Sequence, residues 1–320
     1  MLQKTKNPLT NILAVCVLAL ICCALWASAF PCIKIGYRLF KIDSSMPQNV
    51  ILFAGMRFVL SGLLVILFAS VSRKRFLKIK TESFGRVAVL SLFQTILQYL
   101  FFYIGLSNTT GVKASIISGS NVFLVIIVTS LIFREEKYTL HKFIGSVIGL
   151  AGVIIVNMSG NGIDSSLSLF GDGFVLLSSV AYAFSSAFLK KFAENDDTIM
   201  LSAYQFIFGG FILIAVGLIS GGRITYFSPK AFLLLIYLAF ISAAAYSIWS
   251  ALLANNDVSR VAIYGFSTPV FGVLFSKFLL PNENGALGLN IILALILVCV
   301  GIFIINSKKI DYGSLSVKHV

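Results

Sequence analysis

Arg57 stands by itself in a stretch, 44–72, that holds no other charge. Its guanidinium is a planar fork of five donors, the geometry that grips a carboxylate through two parallel hydrogen bonds. The same fork can tie helix-terminal carbonyls or a neighbouring polar side chain, and the sequence leaves both roles open. Gln94 and Gln98 are four residues apart, hence on one helical face, with Tyr99 beside them. Two amides in an apolar run need partners. They either bridge helices, at about 0.6 kcal/mol each, or line a cavity, the reading preferred here. Tyr246 and Trp249 with Ser242, Tyr182 with Ser186, and Trp26 with Phe30 pair aromatic rings at helical spacing. Ser118, Asn121, Tyr264, Ser267 and Thr268 make a further polar set. Aromatics at such spacing more often pack a core or form an interfacial belt. As a ligand-contacting set the candidates are Trp26, Arg57, Gln94, Gln98, Tyr99, Asn121, Tyr182, Tyr246, Trp249, Tyr264 and Ser267.

The chemistry these residues lack is equally informative. All twelve Asp and Glu residues fall at the ends of apolar runs or between them, and neither His141 nor His319 lies within one. There is no Ser/His/Asp set, no HExxH and no pair of acids inside a span, so an enzyme is not expected. Cys16, Cys22, Cys23, Cys32 and Cys299 show neither a disulfide framework nor metal-ligand spacing. No metal and no cofactor is implied. A proton relay has no buried candidate, leaving only Asp172, Glu135 and Glu136 at helix ends.

The elements that must position these residues follow from composition. Of 320 residues, 58% are hydrophobic and 12% charged, and the mean hydropathy is +0.97. Such a chain cannot cover itself with polar surface, which excludes a soluble or a disordered protein. Charge-free intervals run 7–33, 87–112, 114–133, 143–163, 173–189, 198–222, 231–256, 261–276 and 284–307; 44–72 is broken by Arg57 alone. Most reach the ~20 residues that a helix needs to cross hydrocarbon, and the two short ones end in Lys190 and Lys277, whose stems can snorkel. None alternates as a barrel strand would. The expected fold is an all-α integral membrane protein of ten transmembrane helices. The first run lacks a cleavage site followed by a soluble domain and is read as a permanent helix.

With the amino terminus placed in the cytoplasm, 17 Lys and Arg fall inside and seven outside. Positive residues favour the cytoplasmic side, so both termini are expected there, in the plasma membrane (a bacterial inner membrane). The net charge of +13 is then a topology signal and an attraction for anionic lipid, not a nucleic-acid footprint.

The chain also matches itself. At a shift of 147 residues, Leu106-Ser-Asn108 faces Leu253-Ala-Asn255, Tyr99 faces Tyr246, Ser120 faces Ser267 and Glu136 faces Glu283. Gly152–Asn157 matches Gly301–Asn306, and Trp26-Ala27 with Lys34 matches Tyr182-Ala183 with Lys190. Two five-helix repeats, 1–158 and 168–307, would precede a cytoplasmic tail, 308–320. Five being odd, the repeats enter the membrane inverted, an architecture of secondary transporters whose site lies between the halves near the midplane.

These residues resemble the EamA family of the drug/metabolite transporter superfamily. The likeness rests on Trp26-Ala-Ser-Ala-Phe30 with Lys34 and on Arg57-Phe58. It rests most on Tyr99…Gly105-Leu-Ser-Asn-Thr, Ala114-Ser-Ile-Ile, Phe133-Arg-Glu-Glu136 and Gly145…Gly149-Leu-Ala-Gly152-Val. Ser267-Thr-Pro269-Val-Phe and Asn282-Glu283 repeat it in the second half. One departure is that Ser118-Gly-Ser-Asn121 lacks the proline kink usual in the family's fourth helix, which Pro269 keeps in the ninth. The resemblance implies a secondary transporter, an exporter or facilitator, with the direction inherited from the family. Small neutral or zwitterionic metabolites such as amino acids suit a cavity with one buried base and no buried acid. The alternatives are a multidrug or nucleotide-sugar-like exporter of the same superfamily and, in another class, a non-transporting membrane scaffold. Expected partners are a small-molecule substrate and membrane lipid, the chain being a monomer or homodimer.

Overall fold

The computed structural model describes residues 8–109, 114, 117–157, 168–279 and 289–307, and every regular element among them is helical. In chain order the helices are α1 (Ile12–Leu39), α2 (Pro47–Ser72), α3 (Thr81–Leu106), α4 (Ile117–Ile132), α5 (Leu140–Asn157), α6 (Leu169–Phe192), α7 (Thr198–Ile219), α8 (Pro229–Asn255), α9 (258–279) and α10 (Leu289–Asn306). Six of them, α1, α2, α3, α6, α7 and α8, are long and apolar enough to cross a membrane; 117–132, 140–155 and 292–306 are shorter apolar helices. Their starts are written locally. Asn11, Asp197 and Ser228 accept the amides of Leu13, Ile199 and Ala231, and Pro47 and Pro229 open α2 and α8, where a missing N–H costs nothing.

The surface and the interior are inverted relative to a soluble protein. Large apolar side chains such as Leu13, Val71, Leu140, Ile219, Leu233 and Phe303 are exposed, whereas Ser61, Thr95, Ser185, Gln205 and Ser250 are buried. A lipid-facing exterior explains the first set, and hydrogen bonds between helices explain part of the second. Thr95 donates to Gln205 Oε1 at 2.6 Å, joining α3 to α7, and the Ser202 and Ser250 hydroxyls lie 2.8 Å apart, joining α7 to α8.

Two helix pairs pack backbone against backbone. In the antiparallel pair α2/α7, a Cβ on Gly62 would sit 2.5 Å from Ala203 O, and one on Gly210 would sit 3.0 Å from Gly55 O. In the antiparallel pair α5/α10, Gly145 lies against Gly301, and Gly152 against Ala294. Small residues seven apart on both partners let the axes approach until backbone atoms touch, which maximises dispersion where no hydrophobic force acts between helices.

Polar contacts gather the connecting segments at two ends. At one end, Arg73 pairs with Asp197, Arg86 and Ser83 bind Asp196, and Glu136 accepts from Lys142 and Ser259. There too Lys190 Nζ caps the carbonyls of Ala254 and Asn256. At the other end, Asn49 Oδ1 accepts from the Arg223 amide, Lys41 lies over the Tyr226 ring, and Thr109 bonds Asp172.

Candidate functional site

α3 sets the register of the site. Its middle, Ser91–Leu97, is wound as a π-helix, a form that recurs at functional sites because it re-aims the side chains that follow. Tyr99 is the second residue after it, and its hydroxyl lies 3.0 Å from that of Tyr246 on α8. Tyr246 meets Trp26 of α1 edge to face with centroids 5.2 Å apart, and Trp26 meets Trp249 of α8 likewise at 5.0 Å. On the other flank Phe58 of α2 lies 4.5 Å from Tyr99 and stacks on Phe206 of α7 at 5.3 Å and 11°. Phe206 in turn stands perpendicular to Tyr246. Each ring pair is worth about 0.5–1.5 kcal/mol beyond the area it buries. Tyr182 of α6 joins the group beside Trp249, whose indole N–H faces the Tyr182 hydroxyl outside hydrogen-bond geometry.

Arg57 belongs to this cluster. It is the eleventh residue of α2, about 15 Å along the axis at 1.5 Å per residue, and it is 5% exposed. Its guanidinium carbon lies 4.5 Å from the Phe58 ring centre and 5.9 Å from that of Tyr99. The titratable groups near it are Tyr103, Tyr99, Tyr246 and Tyr37. Nε has no hydrogen-bond partner, and among the described residues no carboxylate pairs with it. A charge in mid-span costs at least about 2.5 kcal/mol. The ring contacts return on the order of 1–2 kcal/mol and supply no acceptor.

Trp26, Arg57, Tyr99, Tyr182, Tyr246 and Trp249 are therefore brought together. The other candidates are not. Gln94 is buried, Gln98 has a buried, unpartnered Oε1, and Asn121 has a buried, unpartnered Oδ1. Tyr264 is buried beside Cys16, toward one end of α1, and Ser267 is buried. Phe30 is half exposed and faces outward, so α1 contributes one wall residue where the sequence suggested two. Glu283 and Asn282 lie outside the described residues.

The ligand-contacting set read from the sequence left out Phe58, Phe206, Tyr103 and Gln205. Gln205 is fully buried with Nε2 unpartnered, next to Phe206. The signal was present: a shift of 148 sets Gln205-Phe206 opposite Arg57-Phe58. A groove of about 630 Å³ between α1, α2 and α8, lined by Ile35, Leu39, Leu64, Phe68, Lys230 and Leu233 among others, holds none of the candidates. It opens on the outer apolar surface, as the exposed Phe68 and Leu233 show.

The sequence pattern described as the EamA-like transporter family matches residues 13–158 and 169–307. The chain belongs to this family, and it is a multi-pass membrane protein of a transporter family and not an enzyme. An uncharacterized transporter of Archaeoglobus fulgidus is 30% identical over 292 residues, which cover 89% of this chain and 94% of the relative. The uncharacterized transporter YvbV of Bacillus subtilis is 28% identical over 262 residues, covering 81% and 83%. WAT1-related protein At3g02690, chloroplastic, of Arabidopsis thaliana is 25% identical over 240 residues, covering 72% and 57%. A solved crystal structure with 14% identity superposes with a TM-score of 0.72 over 92% of this chain and 96% of its own; it speaks to the fold alone.

Proposed function

We propose that this EamA-family transporter carries small metabolites such as amino acids across the plasma membrane by alternating access, as an exporter or facilitator. Both termini are cytoplasmic in this reading, and ten spans form two inverted repeats, 1–158 and 168–307. Support for the repeats comes from the pairwise contacts of α2 and α7. Under the shift of 148, Gly62 against Ala203 becomes Gly210 against Gly55, and both contacts occur. Phe58 and Phe206, equivalent under that shift, stack on each other, as residues beside a two-fold axis would. The basic segments 73–86, 134–142, 190–191 and 256–260 belong to one end, in keeping with a cytoplasmic face there.

The observation that carries the transport site is the junction of Tyr99 and Tyr246, where α3 of one half and α8 of the other meet beside Arg57 and Trp26. Ligand sites of inverted-repeat transporters lie at such an interface. Rocking of one half on the other would part these two tyrosines and open the cluster to one side. A nucleotide-sugar-like cargo is disfavoured, since Arg57 is the one buried base within a span among the described residues. The test is reconstitution in proteoliposomes with uptake and counterflow measured for a metabolite panel. Saturable flux of an amino acid or similar solute, lost in Tyr246→Ala, is expected; absence of flux for every panel member would remove the reading.

A further inference from the structure

The aromatic cluster has one fixed charge and a surplus of donors. Arg57 Nε, Trp26 Nε1 and Trp249 Nε1 are buried and make no hydrogen bond, although Trp249 Nε1 faces the Tyr182 hydroxyl, and the chain of contacts from Arg57 through Tyr99 and Tyr246 to Trp26 and Trp249 is continuous. Buried donors are nearly always paired in folded proteins, so three in one cluster point to an acceptor supplied from outside the chain. The unpartnered acceptors Gln98 Oε1 and Asn121 Oδ1 make no hydrogen bond with the cluster.

We infer that the transported molecule carries a carboxylate that Arg57 grips, with its apolar body against Trp26 and Trp249. The inference rests on the transporter reading above and narrows it to a substrate class: monocarboxylates, amino-acid zwitterions included. A planar carboxylate matches the guanidinium fork and neutralises its single charge. A phosphate dianion would leave one negative charge unpaired, and a plain cation would meet Arg57 as a like charge. The rings give the other half of the molecule an apolar wall.

The same geometry disfavours Arg57 as a structural tie. A tie needs an acceptor, and the neighbours of Arg57 are ring faces and tyrosine hydroxyls without a hydrogen bond to it among the described residues.

The chain contains two tryptophans, Trp26 and Trp249, and both stand in the cluster, so intrinsic fluorescence reads the site directly. Purified protein is titrated with two matched pairs: leucine against leucinamide, and 3-phenylpropionate against 3-phenylpropanamide. A saturable change in emission with at least one carboxylate is expected, at least tenfold weaker with its amide and at least tenfold weaker in Arg57→Gln. Arg57→Lys, which keeps the charge and loses the fork, should bind with intermediate strength. In the ligand-free state Arg57→Met should melt no lower than the unsubstituted protein, because an unpaired buried charge has been removed. Equal binding of acid and amide, no response to either carboxylate, unchanged binding in Arg57→Gln, or a lowered melting temperature in Arg57→Met would each overturn the inference. The two readings fail separately. Counterflow of neutral solutes without carboxylate binding leaves transport standing and removes the carboxylate; Arg57-dependent carboxylate binding without any flux does the reverse.

Discussion

The hydroxyls of Tyr99 and Tyr246 lie 3.0 Å apart although 147 residues separate them in the chain, and each occupies the position that the internal match of the sequence assigns to the other. The contact fastens α3 to α8 in the middle of the bundle. It also closes the ring cluster, since Phe58 rests on Tyr99 and Trp26 on Tyr246.

Removing one hydroxyl leaves the other unpaired in a largely buried cluster. Tyr99→Phe and Tyr246→Phe should each lower stability by about 1 kcal/mol. The double variant should lose little more than either single one, because both polar groups are then gone. Melting temperatures of the four proteins in one detergent decide this. Additive losses would show that the two hydroxyls do not act on each other.

Helix α2 tolerates no side chain at Gly62. A Cβ there would approach Ala203 O to 2.5 Å, and the opposing group is backbone that cannot move aside. Gly62→Val should abolish the yield of monodisperse protein. Gly85→Ala, with nothing within 4 Å of the new methyl, should fold normally and gain on the order of 0.4–1 kcal/mol by restricting the unfolded chain. Size-exclusion profiles of the two variants separate the cases.

Asp196, in the connection between α6 and α7, provides a pH-dependent contribution. Burial raises its pKa, but hydrogen bonds from Arg86 and Ser83, with the charges of Arg86 and Lys80, outweigh burial and hold the value below 3.8. A carboxylate depressed in the folded state stabilises above its unfolded pKa and ceases to do so as pH falls through the folded value. Asp196→Asn should therefore melt below the unsubstituted protein at neutral pH. The gap should persist on mild acidification and shrink only below about pH 4. A gap that closes near pH 6 would assign the effect to another group.

Membrane sidedness is tested by single cysteines in a background lacking the five native ones. Leu77 is buried and unsuitable, whereas Lys78 and Thr225 are exposed at opposite ends of the bundle. In intact cells a membrane-impermeant maleimide should label Thr225→Cys and spare Lys78→Cys until the membrane is opened. Labelling of both from outside would contradict the proposed topology.

The sequence by itself determined that this is a helical membrane protein, because long apolar runs without charge admit no other solution for the backbone. It also brought out Arg57, Tyr99, Tyr246 and Trp249, since polar and aromatic residues interrupting such runs are conspicuous. Tertiary structure decided which of them meet. Helix spacing tells which residues share a face, but not which face looks inward, and this distinction sent Phe30 to the surface while drawing Trp26 into the cluster. The same limit hid Gln205 and Phe206, whose significance comes from lying opposite Thr95 and Phe58 on other helices. Only the packing could show that Arg57 is buried among rings with an unpaired Nε, because the absence of an acceptor is a property of every helix around it and not of its own.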